Sequence, residues 1–392
     1  MPAGDESKLI RSKLIRTDEQ IVTDDALAAE LREKYSRLDA LFAESGLDAL
    51  LLRRSENIAW ATAGQAEVRV LIPGETGVAS LLITRDGRKF YLTTKNEAPR
   101  LAAEEFANLD YEPVLFPWYE DRAVAEARRL AGGTGKIGTD SATANFDVVG
   151  LGGLRASLTR AEISRYRWLG ARTAAATSKV LTQLEPVVTE FEMEGMVSDA
   201  LLSEGILPSV LLMAVDERIF RYKHAVARGA SLKKYGMLNL CTRKWGLAIS
   251  ITRFVHFGAV PDGLLAGFAG AAEVNAALLH ATQVGATSGE LFSVAKAAYQ
   301  TAGSGGEEEL HHQGGACGYG EREWLATPRG TNVVVNAQGF AWNPSLRGAK
   351  VEDTVLLLDG QIECLTATPD LPVVETQVGA KSYRSAGVLV QD

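Results

Sequence analysis

The stretch Gly246–Gly258, GLAISITRFVHFG, reads as one long strand. Ile249, Ile251, Thr252 and Val255 are β-branched, and such side chains pack well on a pleated surface. No glycine or proline interrupts the run. The segment before it, YGMLNLCTRKW (235–245), has the same character, and SVLLMAV (209–215) adds a further strand. At the end of the chain, TNVVVNAQGFAWNP (331–344) and KVEDTVLLLDGQIECLT (350–366) repeat the pattern, the latter with an Asp359-Gly360 turn. Two helices open with Thr-x-x-Glu capping boxes, Thr189/Glu192 and Thr287/Glu290, and the strands over 209–258 lie between them. Helix pairs beside long hairpins predict an antiparallel α+β layer for the second half.

The first half has another rhythm. Asp25–Gly46 carries Leu27, Leu31, Tyr35, Leu38, Leu41 and Phe42 at helical spacing. LDALLLRR (47–54) reads as a buried strand, and ASLLITRDGRKFYLTT (79–94) as a hairpin turning at Asp86-Gly87. NEAPRLAAEEFANL (96–109) and DRAVAEARRLAGG (121–133) read as helices, GKIGTD (135–140) as a strand, and 160–184 as a helix leading into the second half. The expected organisation is a flexible arm over 1–24, an α/β domain over 25–157 and a second domain over 158–392.

Composition narrows the class. Of 392 residues, 46% are hydrophobic and 23% charged, enough for a sizeable core. A net charge of −8 argues against nucleic acid or an anionic membrane as partner. Three scattered cysteines argue against a disulfide framework and for a reducing cytoplasm. No apolar run is expected to span a membrane, and the polar start does not read as a signal peptide.

Two segments carry a resemblance. GLAISITRFVHFG is similar to the Gly-Tyr-x-x-Asp-x-Thr-Arg segment of the pita-bread superfamily, which includes creatinase, aminopeptidase P and methionine aminopeptidase (peptidase family M24). KVEDTVLLLDGQIECLT resembles its closing Glu-Asp-Thr hairpin. The resemblance implies a creatinase-like N-terminal α/β domain followed by a C-terminal pita-bread domain, and a homodimer. Most of the family binds two divalent metals through Asp, Asp, His, Glu and Glu. Here those positions fall on Asn239, Ser250, Gly315, Asn343 and Glu352, so only the last keeps its carboxylate, and Arg322 stands where a downstream histidine is expected. One carboxylate cannot offset and bridge two dications. The expectation is therefore no metal and no cofactor, with a metallo-aminopeptidase disfavoured. A mononuclear site from His311, His312 and Cys317 is a minor alternative.

The same resemblance assigns what chemistry is left. Creatinase works without metal, using a histidine on the loop before the first Asp strand; here that is His224. One imidazole can take a proton from water and return it to a leaving nitrogen. His311 occupies a substrate-proximal histidine position. His312 is adjacent, and on a strand the two would face opposite ways. Catalytic roles are expected of His224, His311 and Glu352, and substrate contacts of Arg322, His312, Tyr319, Asn343, Asn239 and Ser250. Arg322 could clamp a substrate carboxylate or pair with Glu323 or Glu352. The leading function is a metal-independent hydrolase of C–N bonds acting on a small carboxylate-bearing molecule. Lyase or cyclase chemistry by the same histidines, or a non-catalytic peptide- or protein-binding role, are the alternatives. His256 and His280 read as structural.

Overall fold

The computed structural model describes residues 22–392; of the arm expected over 1–24, residues 1–21 lie outside them. Helix α1 (Asp24–Ser45) starts at Thr23, whose hydroxyl accepts from the Ala26 amide at 3.3 Å, and stops at Gly46 with φ 69°. A left-handed terminal residue suits glycine. The first sheet has the order β4-β3-β2-β1-β5-β6, from β1 (Ala49–Arg54), β2 (Thr76–Thr84), β3 (Lys89–Thr94), β4 (Glu112–Phe116), β5 (Ile137–Thr139) and β6 (Asp147–Val148). Helices α2 (Ser55–Ala61) and α3 (Ala123–Leu130) complete this layer. Leu50, Leu51 and Leu52 are fully buried, as a strand covered on both faces requires.

One expected helix is shorter than the sequence suggests and widens partway along. NEAPRLAAEEFANL forms only Ala98–Arg100 followed by a wide π-type turn, Leu101–Glu105. That turn closes with the Phe106 amide on the Leu101 carbonyl and stacks Phe106 on Tyr91 at 4.3 Å. Core packing of the aromatic pair overrides helix propensity here.

Helix α4 (Arg160–Gln183) joins the halves, and a third capping box that the sequence reading passed over, Thr159/Glu162, starts it. Both expected boxes form, on α5 (Glu190–Leu202) and, later, on α7 (Ser288–Thr301). The second half is built on β7 (Leu207–Val215), β8 (Tyr235–Lys244) and β9 (Leu247–Phe257), with Trp245 and Gly246 both at positive φ in the two-residue turn between β8 and β9. A second sheet runs β11-β10-β12-β15-β16, from β10 (Gly314–Cys317), β11 (Trp324–Leu325), β12 (Gln338–Trp342), β15 (Asp353–Leu358) and β16 (Gln361–Cys364). Two short strands, β13 (Ser345–Leu346) and β14 (Ala349–Lys350), lie between. The chain ends in β17 (Val373–Val378), β18 (Lys381–Ala386) and β19 (Val388–Gln391), the last parallel to β9. The strand expected from Thr331 begins only at Gln338. Residues before it run against the α7 entry instead, with the Val334 amide on the Ala286 carbonyl at 2.9 Å.

Helix α6 (Asp262–Ala281) is the apolar segment to compare with the expectation that none spans a membrane. It is long and apolar enough to cross a membrane, with mean hydropathy 1.3, although 56% of that window is buried inside the protein. It packs against α7 and the β17–β18 hairpin.

Where the halves meet lies a buried ionic cluster. Lys34 of α1 pairs with Glu30 and with Glu162 of α4, each at 2.7 Å, and Arg165 pairs with Glu30 at 2.5 Å. The Tyr319 hydroxyl donates to Glu162 at 2.6 Å and accepts from Lys34 at 3.0 Å. Charges this deep are tolerated only when paired and hydrogen-bonded.

Candidate active site

Strands β8 and β9 pair so that Asn239 faces Thr252 and Cys241 faces Ser250. Side chains two apart on a strand share a face, so these four project together. An isolated bridge between Thr252 and Glu352 brings the surviving carboxylate against them. Its Oε2 accepts from Asn239 Nδ2 at 2.6 Å and Thr252 Oγ1 at 2.7 Å, and pairs with Lys350 Nζ at 2.9 Å. Its Oε1 accepts from Arg322 Nη2 at 3.0 Å. Burial alone would raise this carboxyl, but the Lys350 and Arg322 cations outweigh it and hold it well below the ordinary 4.5. Glu352 is thus a fixed anion whose two oxygens are both engaged, which corrects its expected catalytic role to that of a charge anchor.

Arg322 also donates to Ser250 Oγ at 3.1 Å and to the Glu321 carbonyl at 2.6 Å, while its Nε is buried without a partner. Its anionic partner is therefore Glu352, and of its five N–H groups the Nε–H and one Nη2–H stay undonated. Lys350, which the sequence reading missed, is buried and completes the cluster. The signal available was its place two residues before Glu352, which puts both side chains on one side of an extended segment.

The residues present do not fit a dinuclear metal centre. Two cations already occupy the one carboxylate, and Asn239 spends its Nδ2 donating to it. No side chain fits at 315, because a Cβ there would lie 2.0 Å from the Trp324 carbonyl oxygen.

The histidines gather beside this cluster. His224 sits on an exposed loop before β8, and its Nε2 lies 2.8 Å from His311 Nε2. The His311 and His312 rings stack at 4.3 Å, and His312 lies 6.2 Å from His224, centroid to centroid. The two neighbours do not face opposite ways, because they precede β10 rather than belong to it. Burial first, then Lys350 and the other imidazoles, pushes His311 down to about 3. Burial and Arg322 push His312 down to about 4. His224 is lowered too, by burial and Lys350. All three are neutral bases near pH 7.

Other expected contacts fall elsewhere. Tyr319 is fully buried with its hydroxyl in the ionic cluster, so its side chain is a brace rather than a substrate contact. Cys317 is buried against the Tyr166 hydroxyl at 3.1 Å, with burial pushing its thiol up to about 12, and it does not join the group that gathers His224, His311 and His312. Asn343 is buried with Oδ1 unpartnered. His256 and His280 bond the Gly258 carbonyl and the Tyr383 hydroxyl, each at 3.0 Å, as structural residues do.

Residues 34–163 match the Creatinase/Prolidase N-terminal domain model. No curated protein is significantly similar to the chain in sequence. Among solved structures, an Xaa-Pro dipeptidase from Bacillus anthracis is 18% identical, covering 92% of this chain and 100% of its own, with a TM-score of 0.70. The prolidase from Pyrococcus horikoshii OT3 is 17% identical over 86% of this chain and 98% of its own, with a TM-score of 0.72. The N-terminal domain of a FACT complex subunit from Cicer arietinum (chickpea) is 12% identical over 88% and 96%, with a TM-score of 0.66. The chain therefore carries a creatinase/prolidase N-terminal domain and, over nearly its whole length, the fold of the prolidases, with the pita-bread part in its second half.

Proposed function

We propose that the protein is a hydrolase that cleaves a C–N bond, an amide or amidine, in a small carboxylate-bearing molecule without a dinuclear metal centre. The observation that carries this reading is the 2.8 Å contact between His224 and His311 beside the Glu352 cluster. Neutral His224, on the exposed side of the pair, takes a proton from water as its oxygen adds to the carbon. The same proton goes to the leaving nitrogen as the C–N bond breaks. His311 receives or donates the hydrogen bond that orients His224. Two cations, Arg322 and Lys350, stand against one carboxylate, Glu352. That leaves one positive charge in excess, which favours a substrate carboxylate. The names of the prolidase-like neighbours support cleavage next to nitrogen. The likeness to a FACT subunit domain, named for a complex rather than a reaction, favours a non-catalytic binding role as the second reading.

Turnover should be sought with N-acyl and N-amidino amino acids and their amides. His224→Ala is expected to lower it by about 10²-fold or more, as for a lost general base, with circular dichroism unchanged. Near-normal turnover in that variant rejects the role of His224; no turnover of any panel member by the unaltered chain favours the binding reading. The three cysteines are free, which fits a reducing cytoplasm. A homodimer is expected from the creatinase-like layout, and light scattering that returns one chain's mass would overturn it.

A further inference from the structure

We infer that His224, His311 and His312 form a mononuclear site for a late first-row transition-metal dication of the zinc or cobalt class, with one coordination position open to water. The inference rests on the geometry of the cluster and stands apart from the hydrolytic reading. It uses none of the five positions expected to hold a dinuclear centre. Each residue contributes one nitrogen, and the three lie within 4.8 Å of one another. A tetrahedral ion at about 2.0–2.1 Å from each nitrogen needs them roughly 3.3–3.4 Å apart. The widest gap therefore closes with about 1.5 Å of movement by this same standard. His224 supplies it, being on an exposed loop, and the same exposure gives the ion its way in.

A second observation points the same way. His311 Nδ1 is buried and has no hydrogen-bond partner, a ring nitrogen that no protein group satisfies. His312 Nδ1 accepts from the Gly314 amide at 3.2 Å. Coordination through its other nitrogen moves the ring proton to Nδ1 and gives up that long bond. An all-imidazole set selects zinc, cobalt, nickel or copper over magnesium and calcium, which prefer oxygen. Three nitrogen ligands and an open place is also the arrangement of a reactive rather than a closed structural site. The excess positive charge of Arg322 and Lys350 opposes a dication, which sets a moderate affinity. An ion held here occupies the lone pairs that the proposed proton transfer needs, so zinc would inhibit it.

The test uses the metal-stripped full chain. Zinc titrated by calorimetry is expected to bind at one ion per chain, and cobalt to give the intense visible absorption of a four-coordinate site. Magnesium should give no binding heat. His224→Ala and His312→Ala should each weaken zinc by more than the roughly 10–100-fold that losing an outer-sphere partner costs, while His280→Ala binds as the unaltered chain does. The Gly314 amide resonance should shift on zinc addition, a readout that needs no variant. Absence of saturable zinc binding, or unchanged affinity in folded His224→Ala and His312→Ala proteins, overturns the site. Loss of the hydrolytic reading would show separately, as no turnover by the zinc-free chain.

Discussion

Glu352→Ala is expected to lower stability by about 3–5 kcal/mol, the usual cost of breaking a buried ion pair from one side. The carboxylate is the shared counter-ion of Arg322 and Lys350, and it also accepts from Asn239 and Thr252. Alanine would leave two buried cations and two donors without their acceptor. Urea denaturation would measure the loss, and Lys350→Met in the same chain should recover part of it by removing one stranded charge. A change below about 1 kcal/mol, the scale of an exposed pair, would mean that the cluster is solvated. The same group sets an acid limit. Its folded pKa lies below the ordinary 4.5, as does that of Glu162, where Lys34 outweighs burial. The unfolded chain therefore binds more protons in acid, and stability fully present above pH 4.5 is lost progressively as pH falls from there through the lower folded pKa values.

The second large effect is steric. Gly315→Ala is expected to cost at least about 3 kcal/mol, at or beyond the upper end for overpacking. The added Cβ would meet the Trp324 carbonyl oxygen at 2.0 Å and the Leu325 Cα at 2.9 Å. Both are backbone atoms of the paired strand β11, which rotamer changes cannot relieve. Gly315 also pairs with Ala341 on its other side, so β10 cannot simply retreat. Gly315→His, the replacement that would restore the expected metal ligand, should therefore part β10 from β11 rather than create a site. A thermal midpoint like that of the unaltered chain would show the strands to be more pliable than their spacing implies.

The two-part fold was legible in the sequence because its signals are local. Periodicity gave α1 and α4, turn residues gave the Asp86-Gly87 and Asp359-Gly360 hairpins, and capping boxes gave α5 and α7. The Phe106 turn and the late start of β12 were not legible, since each is decided by contacts with distant chain. The same holds for the site. His224, Asn239, Ser250, Arg322 and Glu352 could be placed by spacing along motifs, and the structure brings them or their partners together. Lys350 lacked a motif of its own, and the inward turn of Tyr319 depends on Glu162 and Lys34, more than 150 residues away in sequence. The stacking of His311 on His312 depended on whether β10 begins before or after them, a boundary that pattern reading does not resolve.

The Tyr319 hydroxyl joins the loop that delivers Arg322 to Glu162 of α4 and Lys34 of α1. This makes the first helix a covalently remote part of the second half's interior. A fragment beginning at Arg160 would keep Glu162 but lose Lys34, leaving a carboxylate only 1% exposed without its ammonium partner. Such a fragment would not be a trimmed protein but a destabilised one, with the segment from Tyr319 to Arg322 slackened. In a calorimeter the intact chain should melt in one cooperative transition, because neither half can open without stranding a charge of the other.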